Sequence, residues 1–310
     1  GLRDGLDPLP KLILRFRLPR RHHTELHQVA AHFRLLELGG GNRAVEGGTL
    51  EFSETVKNLG AVWRFGDGWS AFASYNEGFG LPDAGLVLRS VNTDSRSVED
   101  LIDLQPIITE NREVGVAWRG ARGHLALSYY QSTSDVGSQI RVIDGVGRVD
   151  RVPIEVDGFE VSGELRLTEA VNLFGLYSAI DGRTATAPEQ PLDVALGARS
   201  QGPDKLVIGG NYAFSEQGHL RLQGTRLYPR QINEGRSAGG ANLEENFGGY
   251  TVFDLAASYR TRWGDLGLGV ENLLDRQYVG YFPQANPGGT DDDYFAGRGR
   301  TYTLSYALQF

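Results

Sequence analysis

The 310 residues contain no cysteine and no methionine, and no apolar run approaches the roughly 18–20 residues that a membrane-spanning helix needs. Without cysteine there is no disulfide framework and no thiol chemistry. Without methionine the chain does not begin at an initiator residue, and no apolar signal segment lies near Gly1, so a processed product or a fragment is expected. The lack of long apolar runs excludes a helical membrane protein. It leaves room for a transmembrane barrel, whose strands alternate lipid-facing and lumen-facing residues and average to modest hydropathy. Basic excess is missing as well: a net charge of −8 gives no general nucleic-acid footprint, and no nucleic-acid partner is expected. Catalytic signatures are also lacking. Neither GxSxG nor HExxH occurs, and GGGN near residue 40 has no following lysine. His124 and Ser128 sit four apart on one strand face, about 13 Å by the usual rise, too far to hydrogen-bond. Neither an enzyme nor a cofactor is expected.

What the chain has in quantity is glycine (42), tyrosine (13) and phenylalanine (14), the composition of a β protein. From Lys57 onward it divides into segments of roughly 9–11 residues with period-two alternation, the length that crosses a bilayer at a tilt. In one of them Phe159, Val161, Gly163, Leu165 and Leu167 oppose Glu160, Ser162, Glu164 and Arg166. Ionised groups on alternate positions need water or partners on their side, while the other side suits hydrocarbon. This template predicts strands over 57–65, 69–78, 111–118, 124–133, 156–167, 171–179, 205–214, 219–228, 250–260, 266–277 and 300–310. Their connections alternate between tight turns such as GDG (66–68) and TEA (168–170) and long loops such as 79–110, 134–155 and 278–299. That asymmetry belongs to an all-β, antiparallel up-and-down transmembrane barrel with turns in the periplasm and loops outside. Trp63, Trp69, Trp118, Tyr228, Tyr250, Tyr259 and Trp263 lie near strand ends, where an aromatic girdle would sit at headgroup level. An odd strand count cannot close a single-chain bacterial barrel, so further strands upstream are expected.

Residues 1–50 read differently from 51–310. The stretch from Lys11 is basic and His-rich, and Leu26, Val29, Ala30, Phe33 and Leu36 are spaced for one helical face. The expectation is an irregular loop region, helical or translated out of frame. His23 and His27 have the i, i+4 spacing of a helical metal pair, but with His22 and His32 nearby and no carboxylate or thiol motif, no metal site is expected.

Three segments carry a family likeness: LGAVWRFGDGWSAFASYNEGFGLPDAG (59–85), GLGVENLLDRQYVGYFPQANPG (267–288) and DDDYFAGRGRTYTLSYALQF (291–310). Together they resemble the mid-barrel hairpin, penultimate strand and last strand of TonB-dependent outer-membrane receptors of the ferric-siderophore family. The second contains Asn272, Leu273, Leu274, Asp275, Arg276, Gln277 and Tyr278, similar to that family's Asn-Leu-(Leu/Phe)-Asp-(Arg/Lys)-x-Tyr motif. The resemblance implies about 11 strands of a 22-stranded barrel, in the outer membrane of a Gram-negative bacterium. It implies uptake of an Fe(III)-siderophore chelate as substrate, of hydroxamate type, with the TonB complex as partner of the full-length protein. Plug and TonB box are not recognised in the sequence. A passive porin-like channel and a non-functional fragment of a receptor gene remain as alternatives.

Candidate ligand contacts are loop aromatics and arginines: Phe79 and Arg89, Tyr228 and Arg230, and Tyr281, Phe282, Tyr294 and Phe295. Rings would pack on a bulky chelate and guanidinium groups would pair with its carboxylates. Asp291, Asp292 and Asp293 are expected to be a solvated loop tip rather than a cation site joining lipopolysaccharide. In the last strand Tyr302, Leu304, Tyr306, Leu308 and Phe310 form one apolar face. That strand is expected to close the barrel, because unpaired backbone groups in hydrocarbon cost several kcal/mol each, roughly. A terminal strand of this kind resembles the signal read by the barrel-assembly machinery. Outer-membrane lipids and lipopolysaccharide are the other expected partners.

Overall fold

A computed structural model describes residues 11–26, 50–80, 107–143, 146–185, 187, 189–197, 200–232, 245–284 and 295–308. The sheet runs in chain order through β1 (Lys11–Leu26), β2 (Leu50–Phe65), β3 (Trp69–Gly80), β4 (Ile107–Gly120), β5 (Gly123–Ile143), β6 (Val146–Arg166) and β7 (Val171–Thr184). A short β8 (Val194–Ala195) folds back onto β7, and the sheet continues through β9 (Lys205–Ala213) and β10 (Gly218–Leu227). A separate ribbon joins β11 (Arg230–Ile232) to β12 (Glu245–Phe247). The main sheet ends in β13 (Tyr250–Thr261), β14 (Gly264–Glu271) and β15 (Thr301–Leu308), and α1 (Tyr281–Gln284) is a single helical turn. Every pairing is antiparallel.

The register sorts the side chains into two faces. Leu59, Ala61 and Trp63 on β2 stand opposite Tyr75, Ala73 and Ala71 on β3, and these in turn opposite Arg112, Val114 and Val116 on β4. The same row continues through Leu125, Val161 and Leu173 to Ile208, Leu222, Leu255, Leu268 and Leu304. This row is exposed: Ile208 is 58% and Leu222 46% accessible, while among the described residues only seven apolar side chains are buried. An exposed apolar face this continuous needs hydrocarbon around it. Toward the long-loop end the outward row turns ionic. Lys57 Nζ lies 3.3 Å from Glu77 Oε1, and Arg112 lies 2.9 Å from Glu110. Those pairs mark the outer limit of the apolar band.

Glycine is required at two turns. Gly68 has φ 82° and accepts the Arg119 N–H at 2.9 Å, and a Cβ there would overlap the Arg119 carbonyl. Gly264, at φ 148°, starts β14 so close to Ala307 of β15 that a Cβ would meet its carbonyl.

All eleven strands expected from alternation are present, with three changes. The loop expected over 134–155 is mostly ladder, since β5 and β6 run on to Ile143 and Val146. The strand expected to reach residue 277 stops at Glu271, where the backbone of Asn272 turns to φ 50°. In the region 1–50, expected to be irregular, Lys11–Leu26 forms strand β1 on the edge of β2. Its signal was present: Leu12, Leu14 and Phe16 alternate with Ile13, Arg15 and Arg17 and pair with Trp63, Ala61 and Leu59. A register shift between Arg17 and Arg20, around Pro19, breaks that period. His22 and His23 lie in this strand, so a helical His23–His27 pair does not form; residues 27–49 lie outside the described residues. Among the described residues strand β15 pairs with β14, and Leu304 is 80% and Tyr302 66% accessible beside Tyr306 and Leu308; Phe310 is outside the described residues.

Candidate ligand mouth

At the loop end of β14 the Asn272–Tyr278 segment forms a turn built around one side chain. Asn272 is buried and its Nδ2 donates to the carbonyls of Arg276 and Arg298, both at 3.0 Å. Its Oδ1 accepts the Arg276 N–H at 2.8 Å, and its own N–H donates to Asp254 Oδ1 at 2.9 Å. Asp275, at φ 54°, accepts the Arg300 N–H at 2.8 Å. Asn and Asp tolerate this left-handed backbone because their short polar side chains bond locally. The turn thereby joins the start of the last long loop to its end and sets the start of β15.

Directly beyond it, four rings gather. Tyr250 lies 4.3 Å from Tyr278, Phe247 lies 5.1 Å from Tyr281, and Phe247 and Tyr250 meet edge to face at 6.0 Å. Tyr250 pairs with Leu227, one step out of phase with the outward row of Arg226 and Thr251, so it faces inward. The Tyr281 hydroxyl donates to the Gln201 carbonyl at 2.9 Å. Burial pushes that hydroxyl up, against a smaller lowering by Arg230, so it remains a protonated donor. Gln201 is itself buried, and its Oε1 has no hydrogen-bond partner. An aromatic wall of this kind can pack on a flat or bulky solute.

The ligand candidates separate by face. Tyr281 belongs to this wall, and Phe282 follows it in α1. Tyr228 does not: its ring meets Tyr177 at 6.2 Å, and Tyr177 meets Phe159 at 6.3 Å, all on the outward side as an outer girdle. Tyr250, expected in that girdle, is instead on the inner side. Trp63, Trp69, Tyr259 and Trp263 are exposed near the short-turn end, as a second girdle would be, and Trp118 is half-buried beside them. Phe79 shares the outward parity of Tyr75 and Glu77 and pairs with Ile108. Phe295 is exposed beside the Val279–Ala296 bridge. Arg89, Tyr294 and Asp291–Asp293 lie outside the described residues. Phe247 was missed because nothing local distinguishes it from a loop aromatic.

Arg230 ties loop carbonyls together at the edge of a cavity of about 530 Å³ that it lines with Asp181 and Asp204. Its Nη1 donates to the Gly202 carbonyl at 2.7 Å and the Ile180 carbonyl at 3.3 Å, and its Nη2 is 3.8 Å from Asp181. Arg230→Ala should remove about 1.5–3 kcal/mol of local stability. Limited proteolysis should then cut within 185–203 several-fold faster, roughly, while the strands stay protected; an unchanged cleavage rate would refute this role.

The lumen face carries most of the polar side chains, with scattered apolar ones such as Phe72 and Phe174 among them. Arg221 stacks 4.1 Å over the Phe174 ring and donates to Gln223 at 3.0 Å. Apolar residues outside, polar residues inside, tight turns at one end and long loops at the other define an outer-membrane β-barrel wall. Within that class, residues 32–273 match the family described as TonB dependent receptor-like, beta-barrel, and the chain belongs to it. This is a family of Gram-negative outer-membrane transport receptors, not of enzymes. The chain is 25% identical over 291 residues to the ferric aerobactin receptor of Klebsiella pneumoniae, covering 86% of this chain and 37% of that protein. It is 24% identical over 293 residues to the rhizobactin receptor of Rhizobium meliloti, covering 86% and 36%. It thus spans a little over a third of the length of these curated relatives. Among solved structures, the ferric-catecholate import receptor Fiu of E. coli shares the fold with a TM-score of 0.66 at 18% identity, over 93% of this chain and 41% of that one. The copper transporter OprC does so at 0.65 and 18%, over 82% and 39%.

Proposed function

We propose that the chain forms part of the wall of an energy-coupled receptor that imports the Fe(III) chelate of a hydroxamate-type siderophore. The observation that carries this reading is the similarity along 86% of the chain to receptors named for ferric aerobactin and rhizobactin. The rings of Tyr250, Tyr278 and Tyr281 at the loop end, packed around the buried Phe247, support it, since they give a bulky chelate an aromatic surface. In the full-length protein the TonB complex is the proposed energy source, and the barrel-assembly machinery the proposed reader of the β15 strand.

The test is growth under iron limitation on one siderophore at a time, in a host stripped of its own receptors and carrying the full-length gene. Growth on ferric hydroxamates that disappears when TonB is deleted is the expected result. Growth that is the same with and without the gene, or that persists without TonB, would overturn the reading; the second outcome would fit a passive channel.

A further inference from the structure

The inward face is polarised along the barrel axis. Near the short turns it carries Arg64, Arg119, Arg166 and Arg221 against Glu164, while Arg260 is paired with Asp265 at 3.2 Å. Toward the loop end it carries Glu113, Glu160, Asp254 and Glu271 against Lys205. Between low-dielectric walls such a gradient acts on any charged solute. It repels a carboxylate from the outer band and attracts it to the periplasmic end.

The cations of the short-turn end converge on one cavity. Arg119, Arg122, His124, Glu164, Arg166 and Asn172 line about 430 Å³ there. The register sets Arg119 opposite His124 and His124 opposite Glu164, on the side of the wall away from Trp118, Leu125 and Leu165. Arg166 Nη2 donates to the Ala121 carbonyl at 2.8 Å, and Glu164 is engaged by the Asn172 amide rather than by an arginine. Among the described residues the guanidinium groups of Arg119 and Arg122 have no partner. At the outer end, by contrast, Lys57, Arg112 and Arg183 are paired with Glu77, Glu110 and Asp181. Guanidinium groups gathered around one space repel one another. A carboxylate between them offsets that repulsion and matches their forked N–H donors.

We propose that this cavity is an exit station for carboxylate groups of the imported solute, a second binding site at the periplasmic end of the lumen, reached after the solute leaves the aromatic mouth. The exit role rests on the reading of the chain as part of an importer. The carboxylate site itself does not depend on which chelate the mouth accepts.

The probe is tricarballylate, an iron-free tricarboxylate, titrated calorimetrically into the full-length receptor in detergent at low ionic strength. Wild type should bind it saturably, and Arg119→Gln and Arg122→Gln should each bind it about tenfold more weakly, the loss of one charge-assisted hydrogen bond. Arg119→Lys should lose less, and Arg226→Gln, on the outer side of the wall, should bind as wild type does. In cells, Arg119→Gln should slow TonB-driven uptake of a carboxylate-bearing ferric hydroxamate several-fold and leave its energy-independent surface binding unchanged. No saturable binding by wild type, equal affinity in Arg119→Gln, or an equal loss in Arg226→Gln would overturn the carboxylate site. If the carboxylate came from the receptor's own chain, wild type would bind no probe and Arg119→Gln would lower thermal stability instead, which also overturns it. Unchanged uptake in a variant whose probe affinity has fallen would overturn the exit role. A wild type that takes up no hydroxamate would remove the exit role together with the importer reading, while the titration still decides the site. Heat-modifiable migration on gels checks folding.

Discussion

Replacing Asn272 with alanine is expected to cost about 3–5 kcal/mol of barrel stability, more than any other single polar change described in the turn. Three backbone groups lose their partner at once: the N–H and the carbonyl of Arg276, and the carbonyl of Arg298. Each buried group left unsatisfied costs about 1–3 kcal/mol, less where water reaches it. Alanine also has to hold φ 50°, which asparagine tolerates, at about 1–2 kcal/mol. Asn272→Gly should recover only that backbone part. Asn272→Asp should be nearly as damaging as alanine, because a carboxylate keeps the bond from the Arg276 N–H but faces two carbonyls with no proton to offer. Urea unfolding of the full-length protein in lipid vesicles reads all three. Equal stability of Asn272→Ala and wild type would remove the side chain from its assigned role in joining Arg276 to Arg298.

The second large effect concerns the outward row. Ile208→Arg, in the middle of β9 with the side chain 58% accessible, should cost about 2–4 kcal/mol when the barrel is folded in a bilayer. The same residue at Val207, one step along the strand, faces the lumen and should cost under about 1 kcal/mol, because charge on that side keeps water or polar neighbours. The comparison is useful because both variants place one arginine in the same strand and differ chiefly in the face it occupies. Folding yield and urea midpoints in vesicles would separate them; equal losses would contradict the assignment of Ile208 to lipid. In detergent, where the apolar layer is thinner and deformable, the gap should narrow.

Much of this architecture was legible because a barrel strand announces itself one residue at a time. Phe159 to Leu167 alternates so sharply that only one register keeps Glu160 and Glu164 out of hydrocarbon, and a one-residue slip would reverse every side chain. Strand β1 was less legible. Its alternation from Leu12 to Phe16 is short, rich in arginine and interrupted near Pro19, so its pairing depends on the long edge that β2 offers. Tyr228 and Tyr250 illustrate the harder problem. Both lie at strand ends near the long loops, and both read as girdle aromatics. Yet Tyr228 follows the outward row of Arg226, while Tyr250 pairs with Leu227 and turns inward to meet Phe247 and Tyr278.

By itself the sequence determined the eleven long strands of the main sheet beyond residue 57 but not the short β8, β11 and β12, together with the lipid and lumen faces, the absence of thiol and helical-membrane solutions, and the likeness of Asn272 to Tyr278 to a receptor motif. These follow from periodicity and composition, which act along the chain. Only the tertiary structure decided that Asn272 reaches Arg298, that Arg230 is occupied by Gly202 and Asp181, that four rings separated in sequence form one wall, and that Arg226 bonds Thr251 beside the Tyr228 ring. Each of those depends on which residues the ladder brings opposite one another. The pairing partner across a long loop is fixed by the closing of the whole sheet, not by any local run of residues.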